Sequence, residues 1–213
     1  MASIGRTLGA YLADGLQVWL FPVSTFRRAA DRDLSVRTFV AVLVSLGLIS
    51  GITAFLSSVA LLEGPVTQIL PLALFSEMLW VFVQVLMGGG LLYGAVRLFG
   101  SIAAPRRMLS AMLVFPALQL VVSLVVLVLL AFVLPMASDR MTTIQSVGTL
   151  GSIASMALAF IMISYTVLAA RFGGAVGYPA ATGATLLVFG VLALIYAAIA
   201  WNVTVIPSVG LMP

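Results

Sequence analysis

Residues 38–62, TFVAVLVSLGLISGITAFLSSVALL, run for 25 residues without a charged side chain. As a helix rising 1.5 Å per residue the stretch is about 37 Å long, enough to cross a hydrocarbon layer of about 30 Å with some tilt. A water-soluble helix of this length carries a polar face, and this one has none. The whole chain agrees: of its 213 residues 63% are hydrophobic and 8% charged, with a mean hydropathy of +1.26. That composition leaves too little polar surface to cover a soluble core. The expected fold class is therefore all-α, a polytopic membrane helical bundle, with no sizeable soluble domain.

Working outward from this first span gives four more. Counting 20 residues back from Arg97 places the second at about 78–97, with Glu77 at the opposite interface, where it reads as a first-turn acid behind Ser76. The third, 108–134, follows the Arg106-Arg107 pair and contains Pro116 near its start, a position for a kink. The fourth and fifth are 147–170 and 184–206. Two parts follow: an N-terminal cytoplasmic or interfacial segment, 1–37, and a five-span membrane domain, 38–213.

Arginine sets the orientation. With a cytoplasmic N-terminus, Arg6, Arg27, Arg28, Arg32, Arg37, Arg97, Arg106, Arg107 and Arg171 lie inside and Arg140 outside. Basic residues accumulate on the cytoplasmic side, so the N-terminus is expected inside. In the first 37 residues, Leu8, Tyr11, Leu12, Leu16, Trp19 and Leu20 fall near helical spacing. This predicts an amphipathic helix in the interface, with Trp19 at headgroup depth. STFRRAADRD after it reads as a short helix capped by Ser24 or Thr25.

The glycines raise a separate question. Residues 87–94 read MGGGLLYG, and each glycine in a helix interior costs about 1 kcal/mol relative to alanine. Either the helix breaks there or another helix comes close. Small residues recur four apart in other spans, at Gly47 and Gly51, at Gly151, Ser155 and Ala159, and at Ala193 and Ala197. Such spacing lets membrane helices approach closely where lipid supplies no hydrophobic drive. Gly47, Gly51, Gly88, Gly89, Gly90, Gly94 and Gly151 are accordingly expected at helix contacts, with the first span against the MGGG glycines through Gly47 and Gly51. The alternative is a helix break lining a cavity at Gly88–Gly90, near Gln84, as in discontinuous transporter helices.

Residue chemistry narrows the function. The chain has no cysteine, histidine or lysine. Thiolate chemistry, the commonest general base and the Ser-Lys arrangement are all excluded. An aspartyl site needs two acids at matching depth, and at most one is present. The expectation is a protein that is not an enzyme, with no cofactor, no metal and no nucleic-acid partner. Trp19, Arg27, Arg28, Arg97, Arg106 and Arg107 form the expected cytoplasmic face towards membrane lipids or a partner.

Two segments carry a resemblance. WLFPVSTFRRAADRD, with Pro22, Thr25, Phe26 and Arg27, resembles the entry signature of bacterial members of the Yip domain family, the Rab-GTPase-interacting membrane proteins. YGAVRLFGSIAAPRRMLSAMLVFPALQLV is similar to that family's second-to-third span junction, with Gly100, Arg106 and Arg107, and Pro116 in matching places. The resemblance implies five spans, a cytoplasmic N-terminus, and membrane organisation or partner binding rather than catalysis. The expected function is a non-enzymatic scaffold or adaptor with a protein partner or homo-oligomer in the membrane. The alternative is a small transporter or transporter subunit.

Overall fold

The computed structural model describes residues 2–61, 69–136 and 160–209. All the described elements are helical. They are α1 Ala2–Gln17, α2 Pro22–Asp31, α3 Val36–Leu61, α4 Ile69–Phe82, a π-helical turn Val83–Gly88, α5 Gly89–Leu98, α6 Pro105–Met112, α7 Val114–Met136, α8 described over Phe160–Gly174, and α9 Tyr178–Val209. Among the described residues, four helical stretches are long and apolar enough to cross a membrane: Val36–Ser57, Leu70–Leu98, Pro105–Leu129 and Tyr178–Ala197. The chain is an integral membrane protein with a helical bundle. Of the expected fourth span, 147–170, the first half lies outside the described residues, and the remainder belongs to α8.

Local chemistry explains where the helices start and stop. Ser35 caps α3 by accepting a hydrogen bond from the Thr38 amide at 3.2 Å. Pro22 and Pro105 open α2 and α6, where a missing N–H has no intrahelical partner to lose. The hydroxyls of Ser24 and Thr25 do not cap α2: they donate to the Phe21 carbonyl at 3.1 and 2.8 Å, because Pro22 has already set the helix start. α5 ends on Gly100, at φ +86°, with the Ser101 amide reaching back to the Val96 carbonyl and the Gly100 amide to that of Arg97. This six-to-one, five-to-two closure needs a left-handed residue, which glycine supplies without strain. Pro116 lies in the first turn of α7. It has no N–H for the Met112 carbonyl, and the third apolar stretch is interrupted at Leu113, between α6 and α7.

The second apolar helix departs from the sequence expectation. It starts at Ile69, not near Met78, so Glu77 lies in its third turn rather than at an N-terminus. Counting back from Arg97 gives only the shortest helix that spans a bilayer, and this one is longer. Nor does MGGGLLYG break it: Gly88 and Gly89 have ordinary right-handed helical angles. The preceding turn widens to the π form over Val83–Gly88.

The glycines divide by what lies against them. A Cβ on Gly51 would stand 2.8 Å from Leu74 Cα, and one on Gly47 would stand 3.1 Å from Met78 Cα, so α3 meets α4 backbone to backbone. The expected pairing of Gly47 and Gly51 with the MGGG glycines is thus corrected: they face α4, several turns before Gly88. Gly89 faces α6, with Leu109 Cδ2 at 3.1 Å and Met112 Cγ at 3.2 Å from its virtual Cβ, and Met112 Cε lies 3.5 Å from that of Gly88. Among the described residues, Gly90 and Gly94 meet nothing within 4 Å and mediate no close approach. They point away from α6, because residues one and five positions past Gly89 fall on other faces of the helix. Ala193 and Ala197 are exposed, and Gly151, Ser155 and Ala159 lie outside the described residues.

Burial is concentrated at one end of the bundle. In α7 the buried residues run from Val114 to Leu120, while Val125, Val128, Leu129 and Phe132 are exposed. In α9, Ala181, Ala184 and Val188 are buried, whereas Leu194, Ile195 and Tyr196 are exposed. Apolar side chains exposed along a membrane helix lose nothing in lipid, which is as apolar as leucine. Gly51→Ala is expected to lower stability by about 1–3 kcal/mol, as overpacking does. Gly94→Ala should leave it unchanged or slightly raised. Thermal unfolding of the purified variants in one detergent measures both, and equal midpoints for the two would remove the close approach at Gly51.

Candidate functional site

The deepest feature of the arginine-bearing end is the N-terminal hairpin, α1–turn–α2. One face of it is buried against the bundle, and the other stays exposed. A Cβ on Gly15 would stand 2.6 Å from the Ala117 carbonyl oxygen, so α1 touches the backbone of α7. Tyr11 and Val18 of the expected interfacial segment are fully buried. The Tyr11 hydroxyl donates to the Ser110 carbonyl at 3.2 Å, and the Tyr165 hydroxyl donates to the Val18 carbonyl at 3.0 Å. From α2, the buried Phe26 ring packs against Phe115 and Tyr165, with centroids 5.6 and 5.7 Å away. Of the face marked in the sequence, Tyr11 is buried and Leu8 and Leu12 are partly buried against the bundle, while Leu16, Trp19 and Leu20 stay exposed; Val18 and Phe26 complete the contact.

Asp14 joins the two helices of the hairpin. Its carboxylate is buried, with Arg32 at 2.5 Å and Arg28 at 3.3 Å. Arg28 also donates to Gln17 at 2.6 Å, and the Arg32 guanidinium lies 4.4 Å from the centre of the Tyr11 ring. Burial pushes the Tyr11 phenol up to about 12, against the opposing pull of the Arg32 charge. Further out, Asp31 and Asp33 pair with Arg107 at 2.6 Å and Arg106 at 2.9 Å, tying the end of α2 to the start of α6.

Arg27, Arg97 and Arg171 have no carboxylate partner among the described residues. Arg97 donates to the Tyr93 hydroxyl at 2.9 Å and to the Ser101 carbonyl at 3.1 Å. Arg27 and Arg171 both lie over the ring of Phe172, at 5.3 and 5.2 Å, and Arg171 also stacks 3.5 Å above Tyr178. Beside Arg27 and Arg28, a groove of about 440 Å³ is lined by Leu20, Phe21, Pro22, Val23 and Ser24. Trp19, Leu20, Phe21 and Val23 are exposed around it. The six residues expected on this face, Trp19, Arg27, Arg28, Arg97, Arg106 and Arg107, are thus brought to one end of the bundle, but in two electrostatic states. Arg28, Arg106 and Arg107 are neutralised by aspartates, while Arg27 and Arg97 are not. Arg171, outside the expected set, joins the second group; its signal in the sequence is the flanking Phe172 and Tyr178.

Two glycines that end α8, Gly173 and Gly174, lie outside the expected packing set. A Cβ on Gly173 would stand 2.8 Å from Met108 Cα, and one on Gly174 would stand 3.0 Å from Val96 Cγ2. The Gly174 carbonyl accepts a hydrogen bond from the buried Ser101 hydroxyl at 2.5 Å. These contacts hold Arg171 and Phe172 against α5 and α6. The signal for them was the doubled glycine in RFGGAVG.

Two further cavities lie along the second apolar helix. One, of about 300 Å³, is lined by Glu77, Trp80, Leu118, Gln119, Val122, Ser123 and Met162. The other, of about 400 Å³, follows the π turn and includes Trp80, Gln84, Met87, Gly88, Phe115, Met162 and Phe189 among its walls. Among the described residues, the buried Gln84 carboxamide oxygen accepts no hydrogen bond, and the Thr185 hydroxyl of α9 also has no partner. Among the described residues, no three aspartates or glutamates converge as metal ligands.

Comparison of the chain with family models, with curated proteins and with solved structures gives no match. The site must therefore be read from its own geometry.

Asp14→Ala leaves Arg32 inside the hairpin without its counter-charge. The expected loss is about 2 kcal/mol, below the roughly 3–5 of a fully buried pair because Arg28 and water reach the site. Limited proteolysis of α1 in detergent measures it. For Tyr11, the folded value near 12 exceeds the unfolded one of about 10, so its contribution is complete below pH 10 and is lost as pH rises through 12. Thermal midpoints should fall over that window, and less steeply in Tyr11→Phe.

Proposed function

We propose that this chain is a non-enzymatic, multi-pass membrane protein that works as a scaffold or adaptor, engaging anionic lipid headgroups and membrane partners at its arginine-bearing end. The supporting observation is the pair Arg27 and Arg171 over Phe172, two guanidinium groups without a carboxylate, beside the exposed Trp19, Leu20, Phe21 and Val23. A guanidinium on an aromatic face keeps its N–H fork free in the ring plane for a phosphate. The neighbouring apolar groove suits the glycerol and upper acyl region of the same lipid. In this reading the hairpin is a rigid headgroup platform, with its inner face buried in the bundle.

The topology proposed with it is five spans in a bacterial inner membrane, with the N-terminus and the arginine-bearing end cytoplasmic. The nine-to-one distribution of arginine supports that orientation. Membership of the Yip domain family belongs to the same proposal. It rests on Pro22, Thr25, Phe26 and Arg27 before the first span and on Gly100, Arg106, Arg107 and Pro116 at the second-to-third junction. In this chain Phe26 is a core residue and Gly100 a helix terminator, so these positions have structural work to do whatever the kinship.

Transport is the second reading. It is favoured by the cavity along the π turn, which reaches Gln84 and Gly88 without a break in the helix. The experiment for the leading reading is native mass spectrometry of the detergent-purified protein titrated with phosphatidylglycerol and phosphatidylcholine. The expected result is preferential retention of the anionic lipid, reduced about tenfold or more in the Arg27→Gln, Arg171→Gln double variant, at about 1 kcal/mol per arginine. Arg106→Gln, whose charge is already paired with Asp33, should change retention little. Equal retention of both lipids by the unaltered protein would remove the reading.

A further inference from the structure

Glu77 is the acid that the membrane environment leaves unexplained. It stands in the third turn of α4, inside the apolar stretch Leu70–Leu98, about 30 Å from Arg97 at 1.5 Å per residue. Among the described residues it has neither an ion-pair partner nor a hydrogen bond. An ionisable side chain within a membrane helix is costly and normally has a partner or a task. Its surroundings are polar on one side only: Gln119 and Ser123, four apart on α7, line the same cavity.

A second observation lies one step along the helix. Gln84 is seven residues after Glu77 and therefore on the same face, and its buried oxygen is unpaired. A buried acceptor without a donor is costly, and a structure tolerates it where a ligand or water completes it. The π turn begins at Val83, immediately before Gln84, and widens the helix where the second cavity runs. Such turns are rare and concentrate at functional sites. Trp80 and Met162 line both cavities, so the two are adjacent compartments with an aromatic ring at their junction. Trp80 is itself half-exposed at the surface.

We infer that these two compartments form one binding site for a monovalent lipophilic organic cation, with Glu77 as its counter-charge. Charge complementarity selects the class: the site offers one carboxylate, two carboxamides and two hydroxyls, and no basic side chain lines either compartment. An anion would meet Glu77 without compensation, and an inorganic cation would find too few oxygen ligands in a wall that is mostly apolar. A cation bearing apolar substituents satisfies both parts. Its charge sits near Glu77 and the face of Trp80, and its substituents fill the compartment formed with Phe115, Phe189 and Val188. Any donor on the ligand can reach the unpaired Gln84 oxygen. The inference concerns binding alone and depends neither on the arginine-bearing end nor on translocation. A protein that bound the cation without moving it across proteoliposomes would keep this site and lose only the transport reading.

The test is equilibrium binding of radiolabelled tetraphenylphosphonium to the detergent-purified full chain, with neutral triphenylphosphine oxide as competitor. The expected result is saturable binding at one site per chain that the neutral compound displaces at least tenfold less well than the unlabelled cation. Glu77→Gln should weaken binding at least tenfold while leaving the thermal midpoint of the ligand-free protein within a few degrees. Gln84→Leu removes the unpaired acceptor and is expected to raise that midpoint while weakening binding, a combination that a purely structural glutamine would not give. Arg27→Gln, at the far end, should bind as the unaltered protein does. Unchanged binding in Glu77→Gln, equal competition by the neutral compound, or a co-purified phospholipid that the cation fails to displace would each overturn the inference.

Discussion

The approach of Gly15 to the Ala117 carbonyl, backbone against backbone, is the contact on which the arginine-bearing end depends. Without a side chain at position 15, α1 drops into the groove over α7, and three consequences follow. Tyr11, Val18 and Phe26 reach the core beside Phe115 and Tyr165. Asp14, next in the chain, is carried inside with them and draws in Arg28 and Arg32. The end of α2 then lies over α6, where Asp31 and Asp33 meet Arg107 and Arg106. The burial of apolar surface supplies the drive, and the ion pairs fix which orientation satisfies it.

The two ends of the bundle obey different solvents. At the arginine-bearing end, packing is protein against protein, with tight glycine contacts at Gly15, Gly173 and Gly174. Towards the other end the helices present leucine, valine and phenylalanine outward, as lipid permits. The second apolar helix carries both regimes. Its first half meets α3 at Gly47 and Gly51, its second half meets α6 at Gly89, and the π turn lies between the two contacts. A helix held on different faces at its two ends must adjust its register somewhere, and an extra residue in one turn does so without breaking the hydrogen-bonded chain. The glycines after that turn therefore belong to a change of packing partner, and the cavity that includes Gln84 is its by-product and its opportunity.

Several features were legible in the sequence because their causes are local. Uncharged apolar runs mark the long helices, Pro22 and Pro105 mark helix starts, and Pro116 marks the discontinuity that appears at Leu113. The gathering of arginines at one end also follows from counting along the chain. The register of contacts was not legible: Gly47, Gly51 and Gly89 are correctly marked as packing positions, yet their partners are α4 and α6 rather than one another. Gly90 and Gly94 share the same spacing and pack against nothing among the described residues. Spacing identifies a face of small residues, but only the neighbour's position shows whether that face is used.

The sequence by itself determined that the chain lives in a membrane, that it is helical, and that its positive charge collects at one end. Those properties depend on composition and on intervals along the chain, which every fold of it must share. The tertiary structure alone decided that the N-terminal hairpin is part of the bundle and that some arginines are neutralised while Arg27, Arg97 and Arg171 are not. It also moved Glu77 from a helix terminus into the wall of a cavity. Each of these depends on which surfaces meet across distances of many residues, and an amphipathic face is equally content against lipid or protein until a partner of matching shape is present.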